Sequence, residues 1–280
     1  MPPTPRPLTI IVATTPIPTP TTTTESSSNT PIRLGIGHSG TLPWPRIKTD
    51  MSFFARVTSR PPAPGTINAI IMGRKTYDSV PAHLRPLAKR ISTIITRDVE
   101  GLKPRVAREV EDRKAKLAAS AAAAAAASAS GGNGNAAQQQ QQPATDAIVC
   151  GGLDEALQEL ETRYGEGKLG KVFVIGGAEI YGAVLAKGAG GLGGGPVRIV
   201  MTNVEKKGYA EGDQGEVFEC DTFFPVDEEL FGEKEGWRRV TPEEVTEWVG
   251  EEVTGRWIEE GMLGCRWWGM NVNSMCTIED

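Results

Sequence analysis

Three places in the chain combine residue types suited to holding phosphate. Arg74, Lys75 and Thr76 follow the apolar run IIMG, so two cations and a hydroxyl stand where a strand should give way to a helix. Thr96 and Arg97 close the run ISTIIT in the same manner. Gly176 and Gly177 lie between VFVI and AEIYGAVLA. Paired glycines let a backbone approach a ligand closely, and a helix opening at Ala178, Glu179, Ile180 and Tyr181 offers free N–H groups to a pyrophosphate. Asp50 is of a different character. It sits four residues before Phe54 with Phe53 alongside, so on a helix one carboxylate emerges among aromatic rings. Each feature alone has a plain reading: a solvated cation, a glycine kept for turn geometry, an acid complementing a helix dipole. The repetition of cations and glycines at strand ends argues for a ligand, because open α/β sheets collect ligands along that edge.

A formal G-x-G-x-x-G occurs at Gly35–Gly40. A dinucleotide fingerprint needs a helix to open at its last glycine, and here Pro43 and Pro45 exclude the α conformation just downstream. The stretch GIGHSGTLPWPRIKTDMSFF instead reads as a flexible glycine loop, an apolar elbow at Leu42, Pro43 and Trp44, and a helix capped by Thr49.

The elements that must position these residues follow from periodicity. Short β-branched runs at Leu8–Ala13, RLGIG, Asn68–Met72, Ile91–Thr96, Lys171–Ile175 and Val197–Thr202 read as buried strands. Helical patterns fall at Thr49–Thr58, Arg74–Val80, Leu153–Glu161 and Ala178–Ala186. This alternation predicts an α/β fold in a single domain, with a mixed, mostly parallel central sheet flanked by helices. Beyond Asp221, Trp237–Val240 and Gly264–Val272 read as strands with no good crossover helix between them, which suggests an antiparallel edge or hairpin. The domain should span 1–280, interrupted by low-complexity insertions at 16–32 and 105–148. In the second, an alanine run has no amphipathic stripe to dock and reads as a solvated loop. The glycine-rich Gly188–Pro196 reads as a connector, and 273–280 as a disordered tail.

At 280 residues and 39% hydrophobic, with a formal charge of −5, the chain can bury a core and lacks the basic stripe of a nucleic-acid binder. No apolar run reaches the roughly 20 residues that span a bilayer. Cys150, Cys220, Cys265 and Cys276 have neither metal nor disulfide spacing, and His38 and His83 are too few for a zinc site. These features point to a soluble, reduced, metal-free protein.

The order GIG, LPWP, Asp50, FF, IMGRKTYDSVP, RPLAKR, IITR, VFVIGGAEIY, MTNV, DTFFP resembles dihydrofolate reductase through most of the chain outside the insertions. The insertions and WVGEEVTGRW suggest a eukaryotic, filamentous-fungal version. The resemblance implies a sheet of about eight strands and reduction of 7,8-dihydrofolate by NADPH. It further implies binding of antifolates, a monomer needing neither nucleic acid nor membrane, and a cytoplasmic location with mitochondrial or nuclear pools left open. Asp50 resembles the carboxylate that grips the pterin, with Thr202 supporting it. Ile11, Val12, Ala13 and Ile175 resemble the walls around pterin and nicotinamide, Tyr181 borders the latter, and Phe54, Val80 and Leu87 resemble the walls around pterin and aminobenzoyl ring. Arg90 matches the arginine that binds the glutamate carboxylate; Arg85 does not. Gly176, Gly177 and Ala178 resemble the pyrophosphate turn, whose Gly-Gly peptide is cis in the family, with Glu179, Ile180 and Tyr181 following. Arg74, Lys75 and Thr76 match phosphate contacts, and Thr96 and Arg97 the 2′-phosphate contacts that favour NADPH over NADH. Gly35–Leu42, including Ile36, Gly37 and Gly40, resembles a mobile lid, with Leu42 and Trp44 on its hinge side.

Some positions depart from the family pattern. Tyr77 replaces a frequent tryptophan and Lys89 a frequent glycine. Gly151 and Gly152 stand where a basic or hydroxyl residue is common, so cofactor affinity should lean on Arg74 and Arg97. The insertion at 16–32 is expected to loop into solvent without closing the pocket. Two other readings are a pyrimidine reductase of riboflavin synthesis, against which LPWP followed by Asp50 argues, and a non-catalytic nucleotide-binding or interaction module.

Overall fold

A computed structural model describes residues 6–18, 32–129, 144–187, 194–207, 217–226 and 237–272. The strands are β1 (Leu8–Pro18), β2 (Ile32–Gly37), β3 (Ile67–Gly73), β4 (Ile91–Ile95), β5 (Asp146–Cys150), β6 (Leu169–Gly176), β7 (Val197–Lys206), β8 (Thr222–Phe223), β9 (Trp237–Val240), β10 (Ile258–Glu260) and β11 (Leu263–Val272). The helices are α1 (Lys48–Ser59), α2 (Arg74–Ser79), α3 (Val99–Ala129), α4 (Leu153–Lys168), α5 (Ala178–Leu185) and α6 (Pro242–Val249), with a 3₁₀ turn at Ala82–Leu84. The fold is mixed α/β, sheet flanked by helices. Contacts divide the chain into two compact units, Met1–Thr58 with Lys171–Asp280, and Ser59–Gly170.

In the first unit β1 is the organising strand. Its β-branched run is almost wholly buried, as expected of a strand covered on both faces. It pairs in parallel with β6 and β7. On the far side of β7, β11 runs antiparallel, and β9 and β10 each pair antiparallel with β11. The second half of β1 turns to pair with β2, which pairs in turn with the short β8. In the second unit β3, β4 and β5 are parallel and adjacent. Every residue of Ile67–Met72 is buried, so this is core strand rather than an alternating surface strand.

The structure corrects several boundaries. The expected insertion at 16–32 is strand at both ends, since β1 extends to Pro18 and β2 starts at Ile32; its remainder, 19–31, lies outside the described residues. Eleven strands are present among the described residues rather than about eight, the additions being the short β5, β8 and β10. A helix does intervene after Asp221: α6 starts with a capping box in which Thr241 and Glu244 satisfy each other's backbone N–H, and ends on Gly250 at φ 73°. The largest correction concerns 105–148. Residues up to Ala129 continue α3, and 146–148 belong to β5. Leu102, Val106 and Val110, spaced four apart, are buried and form the apolar stripe that the alanine content concealed. The stretch 130–143, residues 188–193 of the expected connector, the tail 273–280 and Cys276 lie outside the described residues.

Cys150 and Cys265 are buried free thiols and Cys220 a half-buried one. Among the described residues no group of acids, histidines and cysteines is arranged to hold a metal, and no helix is long and apolar enough to cross a membrane. If the α3 stripe docks the helix, Leu102→Ala should lower unfolding free energy by about 2–4 kcal/mol in urea denaturation. Ala119→Ser, on the exposed continuation of the same helix, should change it by less than about 0.5 kcal/mol.

Candidate functional site

The start of α1 is fastened from another strand. The Glu260 carboxylate on β10 accepts hydrogen bonds from Lys48 N (2.8 Å), Thr49 N (3.0 Å) and the Thr49 hydroxyl (2.8 Å). Thr49 is therefore not the cap; Glu260 satisfies the first free N–H groups, which hold its carboxyl below the usual carboxylate range. With the first turn fixed, Asp50 is directed inward and is buried.

What Asp50 meets is set by strand register. Ala13 on β1, Thr202 on β7 and Trp267 on β11 are cross-strand partners in one row, so their side chains share a face. The Thr202 hydroxyl donates to Asp50 Oδ1 at 2.8 Å and Trp267 Nε1 donates to the same oxygen at 3.4 Å. No described residue donates to Oδ2, which leaves that oxygen for a ligand. Burial raises the Asp50 pKa above its ordinary 3.8, and the two hydrogen bonds oppose that rise by favouring the carboxylate. Trp267 is absent from the sequence reading. Its partner in the row could be found only from the antiparallel pairing of β11 with β7, which RWWGM does not announce. Phe53, not Phe54, packs on the Trp267 ring, at 4.7 Å between centroids; Phe54 is half-buried one position along α1.

The same alternation sorts the β1 candidates. Ile11 and Ala13 share the Thr202 face, whereas the Val12 side chain points to the opposite one. A contact from Val12 to anything on the Asp50 side must therefore come from its backbone. The half-buried Ile175 lies one residue beyond the Ile10–Val174 pair, beside Ile11. The Tyr181 hydroxyl, fully buried, donates to Ile11 O at 3.2 Å and ties α5 to β1. Between β6 and α5 the Gly176–Gly177 peptide is cis, and no side chain caps the helix. The Ile180 and Tyr181 amides turn back to Gly177 O, which leaves those of Ala178 and Glu179 for an incoming acceptor.

Gly35–Leu42 is a pinned hairpin rather than a loose glycine loop. His38 and Thr41 exchange backbone hydrogen bonds of 2.9 and 3.0 Å around Ser39 (φ 50°) and Gly40 (φ 77°), the positive pair a two-residue hairpin turn requires. Asp221 clamps it, accepting from Ser39 N at 2.7 Å and donating its own N–H to Gly37 O at 3.0 Å. Ile36 is half-buried in β2, and a side chain at Gly37 would press on Thr222. Leu42 projects into solvent at 45% exposure, while Trp44 is buried edge-on against Phe218 at 5.9 Å.

In the second unit the carboxyl ends of three parallel strands align. Gly73 pairs with Ile95, and Ile95 with Cys150. Arg74–Thr76, Thr96–Arg97 and Gly151–Gly152 therefore emerge side by side along one edge. Arg74, Lys75 and Arg97 are exposed, and none of them has a partner among the described residues. Thr96 is held in place: its N–H donates to Cys150 O (2.9 Å) and its hydroxyl accepts from Asp98 N (3.2 Å). The Gly151 N–H is already taken by Glu155 Oε2 at 2.7 Å. Cations without partners, a fixed hydroxyl and an anchored backbone fit the phosphates of a dinucleotide. Val80 and Leu87 are half-buried on the segment between α2 and β4. Arg90 is buried, its Nε donates to Ala88 O at 2.9 Å, and burial lowers its pKa to about 10, so a carboxylate partner would suit it. Arg85 instead serves Asp78 (3.2 Å) and lies near Glu109 (3.9 Å).

The raised pKa of Asp50 has a stability consequence. Its contribution is fully present below the ordinary value of 3.8 and is lost as pH rises through the higher folded value. Asp50→Asn should therefore melt at a higher temperature than the parent at pH 7, and the difference should vanish below about pH 3.8. Thermal melts across that range check the sign.

Residues 32–134 match the family model described as dihydrofolate reductase. The chain is 30% identical over 199 residues to a dihydrofolate reductase from Heliothis virescens, covering 71% of this chain and 77% of that one. It is also 30% identical over 239 residues to a dihydrofolate reductase from Pneumocystis carinii, covering 81% and 86%. The fold is shared with the solved dihydrofolate reductase of Schistosoma mansoni, with a TM-score of 0.56 at 21% identity over 96% of this chain and 100% of that one. These relatives come from diverse eukaryotes and do not single out a fungal origin. With the carboxylate of Asp50, the glycine turn and the cationic strand edge in place, the chain belongs to the dihydrofolate reductase family.

Proposed function

We propose that the protein reduces 7,8-dihydrofolate to 5,6,7,8-tetrahydrofolate with NADPH. The observation that carries this reading is the buried Asp50 carboxylate, whose Oδ1 is satisfied by Thr202 and Trp267 and whose Oδ2 is open. A pterin presents two parallel donors, its 2-amino group and the adjacent ring nitrogen, and an ionised carboxylate accepts such a pair with both orientation and energy. The hydrogen bonds to Oδ1 favour the charged form that this recognition requires, against the burial that disfavours it.

When bound, NADPH supplies the hydride that C6 of the pterin receives. Ile11, Ala13 and Ile175 provide an apolar floor for the flat rings, and the Tyr181 bond to Ile11 O keeps that floor fixed. Asp50 orients and polarises the pterin, and the proton for N5 arrives through water, since the carboxylate grips the far edge of the ring. The β2 hairpin, clamped by Asp221, is suited to exclude bulk water while the hydride moves. Val80 and Leu87 would flank the aminobenzoyl ring, and the buried Arg90 would take the glutamate carboxylate. The Gly176–Gly177 turn would receive the pyrophosphate, Arg74, Lys75 and Thr76 further phosphate contacts, and Thr96 with Arg97 the 2′-phosphate. Antifolates with a diaminopyrimidine edge should compete at Asp50 by the same pairing. The chain is read as a monomeric, single-domain, cytoplasmic enzyme.

Purified protein given NADPH and dihydrofolate should lose NADPH absorbance, and methotrexate should block that loss. Asp50→Asn should cut kcat at pH 7 by about a hundredfold or more while leaving NADPH binding intact. Parent-like turnover in that variant would remove Asp50 from the mechanism, and no turnover in the parent despite NADPH binding would favour a non-catalytic module. Arg97→Ala should raise KM for NADPH by roughly tenfold and leave KM for NADH unchanged, since a lost charge-assisted contact to the 2′-phosphate affects only the former.

A further inference from the structure

Helix α3 carries two stripes, each spaced four residues apart. The apolar stripe, Leu102, Val106 and Val110, is buried. The second, Arg105, Glu109 and Arg113, is polar and lies one residue behind it on the helix surface. Each member of the polar stripe reaches α2 or the turn that follows it. Arg105 Nη2 pairs with Asp78 Oδ1 at 2.5 Å, Glu109 Oε2 accepts the Tyr77 hydroxyl at 2.6 Å, and Arg113 Nη1 donates to His83 O at 3.2 Å. Arg85 closes the network, 3.2 Å from Asp78 and 3.9 Å from Glu109. The guanidinium groups of Arg85 and Arg105 lie 5.6 and 5.9 Å from the Tyr77 ring centre.

The network has an unequal distribution of burial. Tyr77 is buried while Asp78 is partly open, so the Tyr77–Glu109 bond is the desolvated, charge-assisted member and the Asp78 pairs are weaker surface pairs. Burial and the adjacent Glu109 carboxylate both raise the Tyr77 pKa, so its proton stays in that bond. Helix α2 cannot hold itself. It is six residues long and no side chain caps its start. Its preceding residues in the same short helix are Arg74, Lys75 and Thr76, the last directly joined to Tyr77.

We propose that α3 is a brace for cofactor binding: Glu109, through Tyr77, is a positioning residue that fixes Arg74, Lys75 and Thr76 for the cofactor phosphates. This rests on the reading of those three residues as phosphate contacts. Freed from Glu109, α2 loses the buried Tyr77 attachment to α3 and keeps the partly open Asp78 pair, and phosphate affinity falls while the Asp50 face of the first unit is untouched. The brace also gives the Tyr77 hydroxyl a use, because a phenylalanine ring in the same place would leave the Glu109 carboxylate without that donor.

The test uses the full chain and 2′,5′-ADP, which carries phosphates but no nicotinamide, with binding measured by calorimetry. Tyr77→Phe and Glu109→Leu should each weaken 2′,5′-ADP binding and raise KM for NADPH by roughly tenfold, with kcat and KM for dihydrofolate within about twofold of the parent. Glu109→Gln, which keeps an acceptor for the tyrosine, should restore most of the affinity. A merely structural role would instead lower kcat and melting temperature without this split. Parent-like 2′,5′-ADP affinity in both Tyr77→Phe and Glu109→Leu overturns the brace and leaves the phosphate reading standing. Failure of the parent protein itself to bind 2′,5′-ADP overturns both.

Discussion

A carboxylate taken out of water is the constraint around which the first unit is arranged. Burying Asp50 without partners would drive it to its neutral form. The Thr202 hydroxyl and the Trp267 indole oppose this, and both act on a single oxygen. That division of labour requires β1, β7 and β11 to hold one register, so that Ala13, Thr202 and Trp267 fall in a row. It also requires the first turn of α1 to be fixed, which Glu260 achieves from β10. A one-residue slip of β11 would send Trp267 to the other face and Trp268 toward Asp50.

The second unit follows a different logic. There the functional groups are exposed cations at the ends of parallel strands, where hydration makes charge inexpensive and no pairing is needed before a ligand arrives. What such an edge lacks is rigidity, since α2 is short and uncapped. α3 supplies it by laying an apolar stripe inward and a polar stripe along α2. The two units thus handle charge in opposite ways: one buries a single anion among designed donors, the other leaves several cations in water and stiffens the backbone beneath them.

Much of this was legible in the residues themselves. Strand runs such as NAIIM and VFVI declared themselves by β-branching and length, and the residues at their ends kept their places. GIGHSG could be excluded as a phosphate loop from Pro43 and Pro45 alone. What was not legible depended on long-range pairing or on masking by composition. Trp267 needs the β11–β7 register, and the Glu260 cap is supplied from more than two hundred residues away. Adjacency in sequence hides the strand alternation that turns the Val12 side chain away from the face shared by Ile11 and Ala13. The α3 stripe is masked because its three apolar residues are thinly spread among charges and precede a low-complexity alanine run. The hairpin at Ser39 and Gly40 reads as a loose glycine loop because the residue that hydrogen-bonds it, Asp221, is distant in sequence.

The central claim is that the open oxygen of Asp50 receives the pterin. Titrating dihydrofolate into the parent protein and into Asp50→Asn at pH 7 without cofactor, and following quenching of tryptophan fluorescence, measures that contact without turnover. The account predicts affinity weaker by roughly 10- to 100-fold in the variant, the loss of a charge-assisted pair. Equal affinity in the two proteins would contradict it.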